Sequence, residues 1–405
     1  MSPKNMASCV AGGYLILPIV LPNVLRPASV LIFSLFGVLS ILLGFRKTKK
    51  KALIIYLLTT LVTFFYLFIG VSAGADEAIP WVFFVYILAP LFWMYFWFWM
   101  LDASSPEKIA RLLMIFGMLG FALILAFFYI YMILGTGDSL VWLIAEPNVQ
   151  VEDGKAAATL HVYGSMIFIT AAFLAAPGVV KNFILRVGVT GSLVAAAFIS
   201  GRSAFVLAIL VGLLVNLLAN KKERSRSHGV FYASLAALFA LTLAELISSQ
   251  IFSGQSLSLV STLEALVEKI SSGGGDARVL QYKALMDGIN ESWLLGVGHG
   301  VAASEIRNYD SNWKYELLWL STIYHVGLMG FIIYSMPIIL SVICYIRLKM
   351  AKLNNLHDDF FFGGLISIAV ASTTNPYLES FDFQWMVILP CVYFYKRKTR
   401  DESIV

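Results

Sequence analysis

The sequence predicts an all-α, polytopic membrane protein of about twelve transmembrane helices, with a large extracytoplasmic loop containing amphipathic helices. Three observations predict it. The 405 residues are 59% hydrophobic and 13% charged, with a mean hydropathy of +0.82, whereas a soluble domain carries about 25% charged residues. Apolar runs of roughly 18–25 residues recur along the chain, the length that crosses a hydrocarbon core about 30 Å thick. The basic residues cluster at alternate ends of those runs. Backbone in lipid must satisfy its own hydrogen bonds, so the runs are expected to be helices. The composition argues against a large soluble protein with buried helices.

The predicted spans are about 10–25, 29–45, 52–73, 80–101, 112–134, 159–178, 183–200, 204–220, 229–248, 322–346, 360–374 and 384–395. Pro18 and Pro22 interrupt the first, and the last two are short. The N-terminus has the charged start and apolar run of a signal peptide, but many spans follow it, so it reads as an uncleaved first span. The aromatic extreme, WVFFVYILAPLFWMYFWFWML (81–101), fits interfacial Trp and Tyr belts and aromatic packing.

Charge sets the orientation. Of 29 Lys and Arg, eight fall on one side of a twelve-span chain: Arg26, Lys155, Arg202, Lys269, Arg278, Lys283, Arg307 and Lys314. The other 21 fall on the opposite side, most of them in clusters at Arg46–Lys51, Lys221–Arg226, Arg347–Lys352 and Lys396–Arg400. Positive charge stays cytoplasmic, so both termini are expected inside. The net charge of +5 then reads as a topology signal and not as a nucleic-acid footprint. The chain is expected to be one integral membrane domain, 1–405. Its outer side carries a short tip at Gly201–Ser203, a segment at about 135–158 and a loop of about seventy residues at 249–319. Loops longer than about 15 residues tend to be functional or disordered. No sequence repeat suggests the inverted halves of a secondary transporter.

Cys9, Cys344 and Cys391 lie in or beside apolar runs without metal-ligand spacing, so neither a disulfide framework nor structural zinc is expected. HExxH, P-loop and paired-carboxylate metal motifs are absent from the sequence, and the expectation is no metal and no cofactor.

The chemistry-bearing candidates fall on the outer side. Arg202 sits in FISGRSAFVL, a minimal turn between two spans. It is either a fixed cation facing an anionic ligand or a snorkelling turn residue. Arg278 opens GGGDARVLQYKALMDGI, in which Val279, Leu280, Tyr282, Met286 and Ile289 give an apolar side suited to a helix on the membrane surface. Asp276 is placed to cap its first turn. Arg278 is either a headgroup-level residue of that helix or a second cation. Two guanidinium forks suit a pyrophosphate, because each gives paired, charge-assisted bonds to phosphate oxygens. GVGHG (Gly296–Gly300) lacks a preceding strand and reads as a tight turn. Glu316 stands where the loop re-enters apolar sequence, in KYELLWLSTIYHVGLMGF. It is a candidate proton acceptor or a salt-bridge partner for an arginine. Tyr282, His299, Arg307, Tyr315 and His325 are secondary candidates. A buried histidine is more often a hydrogen-bonded packing residue than a base.

These residues carry a family resemblance. GRSAF (Gly201–Phe205) at a span–span turn, then ARVLQYKALMDGINESWLLGVGHG (Ala277–Gly300), then YELLWLSTIYHVGLMGF (Tyr315–Phe331) resemble the O-antigen polymerase and O-antigen ligase superfamily of bacterial envelopes. The marked parts cover about the second half of the chain, and the first half matches in hydropathy alone. The resemblance implies an all-helical membrane glycosyltransferase, with Arg202 and Arg278 engaging a lipid-linked pyrophosphate. Glu316 stands where the ligases have a histidine before the Gly-x-x-Gly span, here Gly327–Gly330, and this departure points to the polymerases. It leaves open whether Glu316 is the base or an organising carboxylate. The implied substrate is an undecaprenyl-pyrophosphate oligosaccharide in the bacterial inner membrane, used on the periplasmic face without a metal. The surrounding partners would be membrane lipid, a chain-length regulator and a flippase. The alternatives are a ligase acting on lipid A–core and a transporter or flippase for lipid-linked sugars.

Overall fold

The computed structural model describes residues 11–22, 26–44, 50–134, 148–152, 155–200, 203–218, 276–307 and 309–401. The span predicted at 229–248, the basic cluster at 221–226 and Arg202 lie outside them. The helices are α1 (Ala11–Val20), α2 (Arg26–Gly44), α3 (Lys50–Ser72), α4 (Asp76–Ala103), α5 (Pro106–Leu134), α6 (Val162–Ala175), α7 (Phe183–Ile199), α8 (Ser203–Leu218), α9 (Asp276–Ser292), α10 (Leu318–Met350), α11 (Leu356–Ala371) and α12 (Phe381–Asp401). Each predicted span within the described residues falls on one of them. Among the described residues, four helices are long and apolar enough to cross a membrane: α3, α4, α5 over Pro106–Phe127, and α10. Leu31 and Leu42 on α2, and Ile54, Leu61 and Phe68 on α3, are exposed. Large apolar side chains facing outward along whole helices suit a hydrocarbon solvent and are unusual on a soluble monomer.

The segment before α6 departs from the all-helical expectation. Asn148–Glu152 (β1) and Lys155–Thr159 (β2) pair antiparallel, with Asn148 opposite Thr159. NVQVE alternates, but KAAAT is poor in the β-branched and aromatic residues that mark strands, so the hairpin left little trace in the sequence.

The chain divides into two compact units. The first comprises the described residues of Met1–Phe33, Met100–Glu268 and Leu348–Ile368. At its centre is α6, every residue of which is buried. α1, α5, α7 and α8 pack around it. Small residues let these backbones approach, as in other membrane helix pairs. A Cβ on Gly212 of α8 would stand 2.7 Å from the Ala171 carbonyl oxygen. One turn later, Asn216 Nδ2 donates to the Ala175 carbonyl at 3.0 Å, satisfying a C-terminal carbonyl that has no partner within α6.

The second unit comprises the described residues of Ser34–Trp99, Lys269–Arg347 and Ala369–Val405. Within α4, Phe83–Leu88 forms a π-helical stretch. Pro90 explains it: proline offers no N–H to the Tyr86 carbonyl four residues back, and its ring crowds that carbonyl. The wider turn relieves the crowding and leaves the Val85 carbonyl to an outside donor. Gln384 Nε2 of α12 supplies that bond at 2.8 Å. Trp93 Nε1 donates to the Phe381 carbonyl at 2.7 Å, so the start of α12 is fixed to α4 at two points.

α10 is unwound at Gly327, whose φ of 61° and ψ of −179° lie in a region essentially restricted to glycine. The break strands two carbonyls and two amides, and the segment from Trp293 to Gly298 takes all four. Val297 N–H donates to the Tyr324 carbonyl (3.0 Å), and Gly298 N–H to the His325 carbonyl (2.8 Å). Leu328 N–H donates to the Trp293 carbonyl (2.9 Å), and Met329 N–H to that of Leu294 (3.5 Å). On its other side His299 N–H donates to the Tyr66 carbonyl of α3 at 2.9 Å. The predicted tight turn is thus a backbone clasp joining α3 to the broken turn of α10. Broken helices in membranes persist where another segment re-satisfies the freed groups.

Candidate functional site

The clasp fixes the loop from Trp293 to Leu317, and the candidate site is built on it within the second unit. α9 begins at Asp276, the residue predicted to cap it. Its predicted apolar stripe divides. Val279, Leu280 and Tyr282 are exposed, while Met286 and Ile289 are half-buried. The side that packs carries Arg278, Gln281, Ala284 and Leu285, spaced at helical intervals. Gln281 is buried because its Oε1 accepts the Glu316 backbone N–H at 3.0 Å, which anchors the loop end to α9.

That anchor sets Glu316 between two arginines. Arg278 Nε donates to Glu316 Oε2, and Arg307 Nη2 lies 3.2 Å from Glu316 Oε1. The Arg278 and Glu316 side chains are 20% and 23% exposed, that of Arg307 39%. Each guanidinium spends one nitrogen on Glu316 and carries further N–H donors.

The other predicted residues have defined places. Tyr315 is buried with Ala284, Leu285, Ala303 and Tyr324. Its hydroxyl accepts the Ala303 N–H at 2.6 Å, and burial pushes the phenol up, so it stays protonated. His325 Nε2 lies 3.1 Å from the Val301 carbonyl and donates to it. His299 Nε2 lies 2.9 Å from the Tyr334 hydroxyl, which lies 2.8 Å from Thr63 Oγ1. Thr63 spends its single proton on the Thr59 carbonyl at 2.9 Å. Tyr334 therefore donates to Thr63, and His299 Nε2–H donates to Tyr334. Burial, with His325 beside it, holds His299 down at about 3, so the ring stays neutral. Both histidines spend Nε2 on structural hydrogen bonds. Tyr282 is exposed, and Arg202 lies outside the described residues.

Sequence reasoning missed Glu379. It ends a short 3-10 turn, Tyr377–Glu379, just before α12, and is 8% exposed. The Tyr86 side chain lies beside its carboxylate. Its Oε2 has no hydrogen-bond partner among the described residues. Burial pushes the carboxyl up to about 8, against the pull of Lys314, Arg307 and the Tyr86 hydroxyl. Tyr86 comes from the π turn of α4, where its ring packs 4.7 Å from that of His299 and 5.6 Å from that of Tyr334. Lys314 Nζ stands 4.7 Å over the Trp81 ring, a cation–π contact. Arg307 thus serves two carboxyl groups: it pairs with Glu316 and faces Glu379. A signal was present in the sequence: the short connection PYLESFDF carries two acids on the side predicted for Arg278.

Arg278 and Arg307 bring two positive charges to the single carboxylate of Glu316. Comparison with protein-family profiles and with curated proteins returns no match.

Proposed function

We propose that the protein is a membrane glycosyltransferase that polymerises undecaprenyl-pyrophosphate-linked oligosaccharides into a surface polysaccharide on the periplasmic face of a bacterial inner membrane. The observation that carries the reading is the pair of guanidinium groups held on opposite oxygens of Glu316, where the loop re-enters α10. Phosphoryl groups are well matched by arginine forks. Donors fixed in advance stabilise the charge that develops on a leaving diphosphate without reorganising during the reaction. Glu316 acts here as the organiser of that pair, since both of its oxygens are engaged. Arg202, which the family resemblance marks, would add a further cation. With arginines neutralising the diphosphate, the transfer needs no metal. The spans of apolar helix and the exposed apolar residues of α9 suit a substrate that stays in the bilayer.

The test is elongation by purified protein in detergent or liposomes. The substrate is the lipid-linked oligosaccharide that accumulates in host cells lacking this gene. A ladder of glycans on the lipid carrier is the expected product. A product formed only when lipid A–core is added would identify a ligase, and movement of the oligosaccharide across liposomes without elongation would identify a transporter.

A further inference from the structure

Resting on the polymerase reading, we propose that Glu379 Oε2 accepts the proton from the acceptor sugar hydroxyl, and that Glu316 does not. Glu316 is occupied: each of its oxygens carries a guanidinium. Glu379 presents the opposite arrangement. Its Oε2 is buried and without a hydrogen-bond partner among the described residues. The neighbouring Ser380 Oγ and Gln384 Oε1 are likewise buried without a hydrogen-bond partner among the described residues, so this stretch has polar groups to which a hydroxyl arriving with the acceptor sugar would supply a partner.

The position is rigid. The Gln384 and Trp93 bonds tie the start of α12 to α4, and the π turn that Pro90 imposes delivers Tyr86 to the carboxyl group. The groups facing Glu379 are Tyr86 from α4, and Lys314 and Arg307 from the loop before α10. Arg307 links the two halves of the reaction, because the cation that pairs with Glu316 at the diphosphate end also faces the proton acceptor.

The step balances. The acceptor hydroxyl gives its proton to ionised Glu379, and its oxygen lone pair forms a bond to the anomeric carbon of the donor. The bond from that carbon to the diphosphate oxygen breaks, and its electron pair leaves with undecaprenyl pyrophosphate beside Arg278 and Arg307. Protonated Glu379 then returns its proton to water. Burial raises the proton affinity of Glu379 towards the working pH, where general bases are most effective.

The experiment measures initial elongation rates at saturating substrate from pH 6 to 9, using the accumulated lipid-linked oligosaccharide as probe. In the wild type the rate rises about tenfold from pH 7 and levels off above about pH 8. Glu379→Gln elongates about 100-fold or more slowly and loses that rise, while binding undecaprenyl pyrophosphate, read by thermal shift, within about threefold of wild type. Glu379→Asp keeps the rise at a reduced rate. A wild-type rate that is flat across this range, or a Glu379→Gln variant that elongates within about threefold of wild type, overturns the inference and leaves the polymerase reading standing. A wild type that produces no ladder overturns both.

Discussion

Removing Glu316 separates the two arginines energetically, because their surroundings differ. The Arg278–Glu316 pair is 20% and 23% exposed and closed by the Gln281 bond to the Glu316 backbone. A hydrogen bond to a charged group in such a setting contributes about 1.5–3 kcal/mol. Arg307 is 39% exposed and holds the other oxygen at 3.2 Å. Solvent screening reduces such a pair to about 0.2–1 kcal/mol. Double-mutant cycles of Glu316→Ala with Arg278→Ala and with Arg307→Ala, read by unfolding in mixed micelles, are expected to give couplings in that order. The Arg278 coupling should survive 0.5 M salt better, because buried pairs are screened less. A coupling for Arg307 equal to or above that for Arg278, or an Arg278 coupling below about 0.5 kcal/mol, would refute the assignment of Glu316 as the anchor of Arg278.

The same reasoning extends to the clasp and to pH. Gly327→Ala places a side chain in a glycine-only conformation, costing about 1–3 kcal/mol, and its Cβ collides with the Leu294 carbonyl. Hydrogen exchange should show Val297 and Gly298 amides losing protection, whereas Gly188→Ala, with open space around it and an ordinary backbone, should leave stability unchanged or raised by up to about 1 kcal/mol. Glu379 makes stability fall as pH rises: its carboxyl holds its proton up to about pH 8 in the folded chain but only to 4.5 as the free group. The folded state therefore binds more protons throughout that window, and the slope is negative. The cost accumulates between about pH 4.5 and 8 to a few kcal/mol, and Glu379→Gln should flatten the stability profile there. His299 acts at the acid end, since its folded value near 3 lies below 6.5. Stability is lost as pH falls below about 6.5, and replacing His299 by Asn should reduce that loss.

How much was legible depended on how local each signal was. Span positions were readable because an apolar run in lipid has one solution, a helix, whatever its neighbours. The meeting of Arg278 with Glu316 was reachable through the order of motifs. Arg307 was legible as a secondary candidate among the basic residues on the side predicted for Arg278. Gln281 was unreadable as a buried residue, because its burial depends on a backbone amide 35 positions away. Gly327 and the GVGHG run looked like separate features. Their meaning is joint, four hydrogen bonds exchanged between a broken helix and a turn, and no local pattern encodes that exchange. Glu379 was passed over because an acid in a short connection reads as solvated. Its burial comes from α4, some 290 residues earlier in the sequence.

Elongation of lipid-linked oligosaccharide by the purified protein, with no other acceptor present, is the most direct measurement. Wild type is expected to build a ladder, Arg278→Ala and Arg307→Ala to lose it through weakened hold on the diphosphate, and all three to remain folded by thermal shift. A folded Arg278→Ala protein that elongates as fast as wild type would contradict the account.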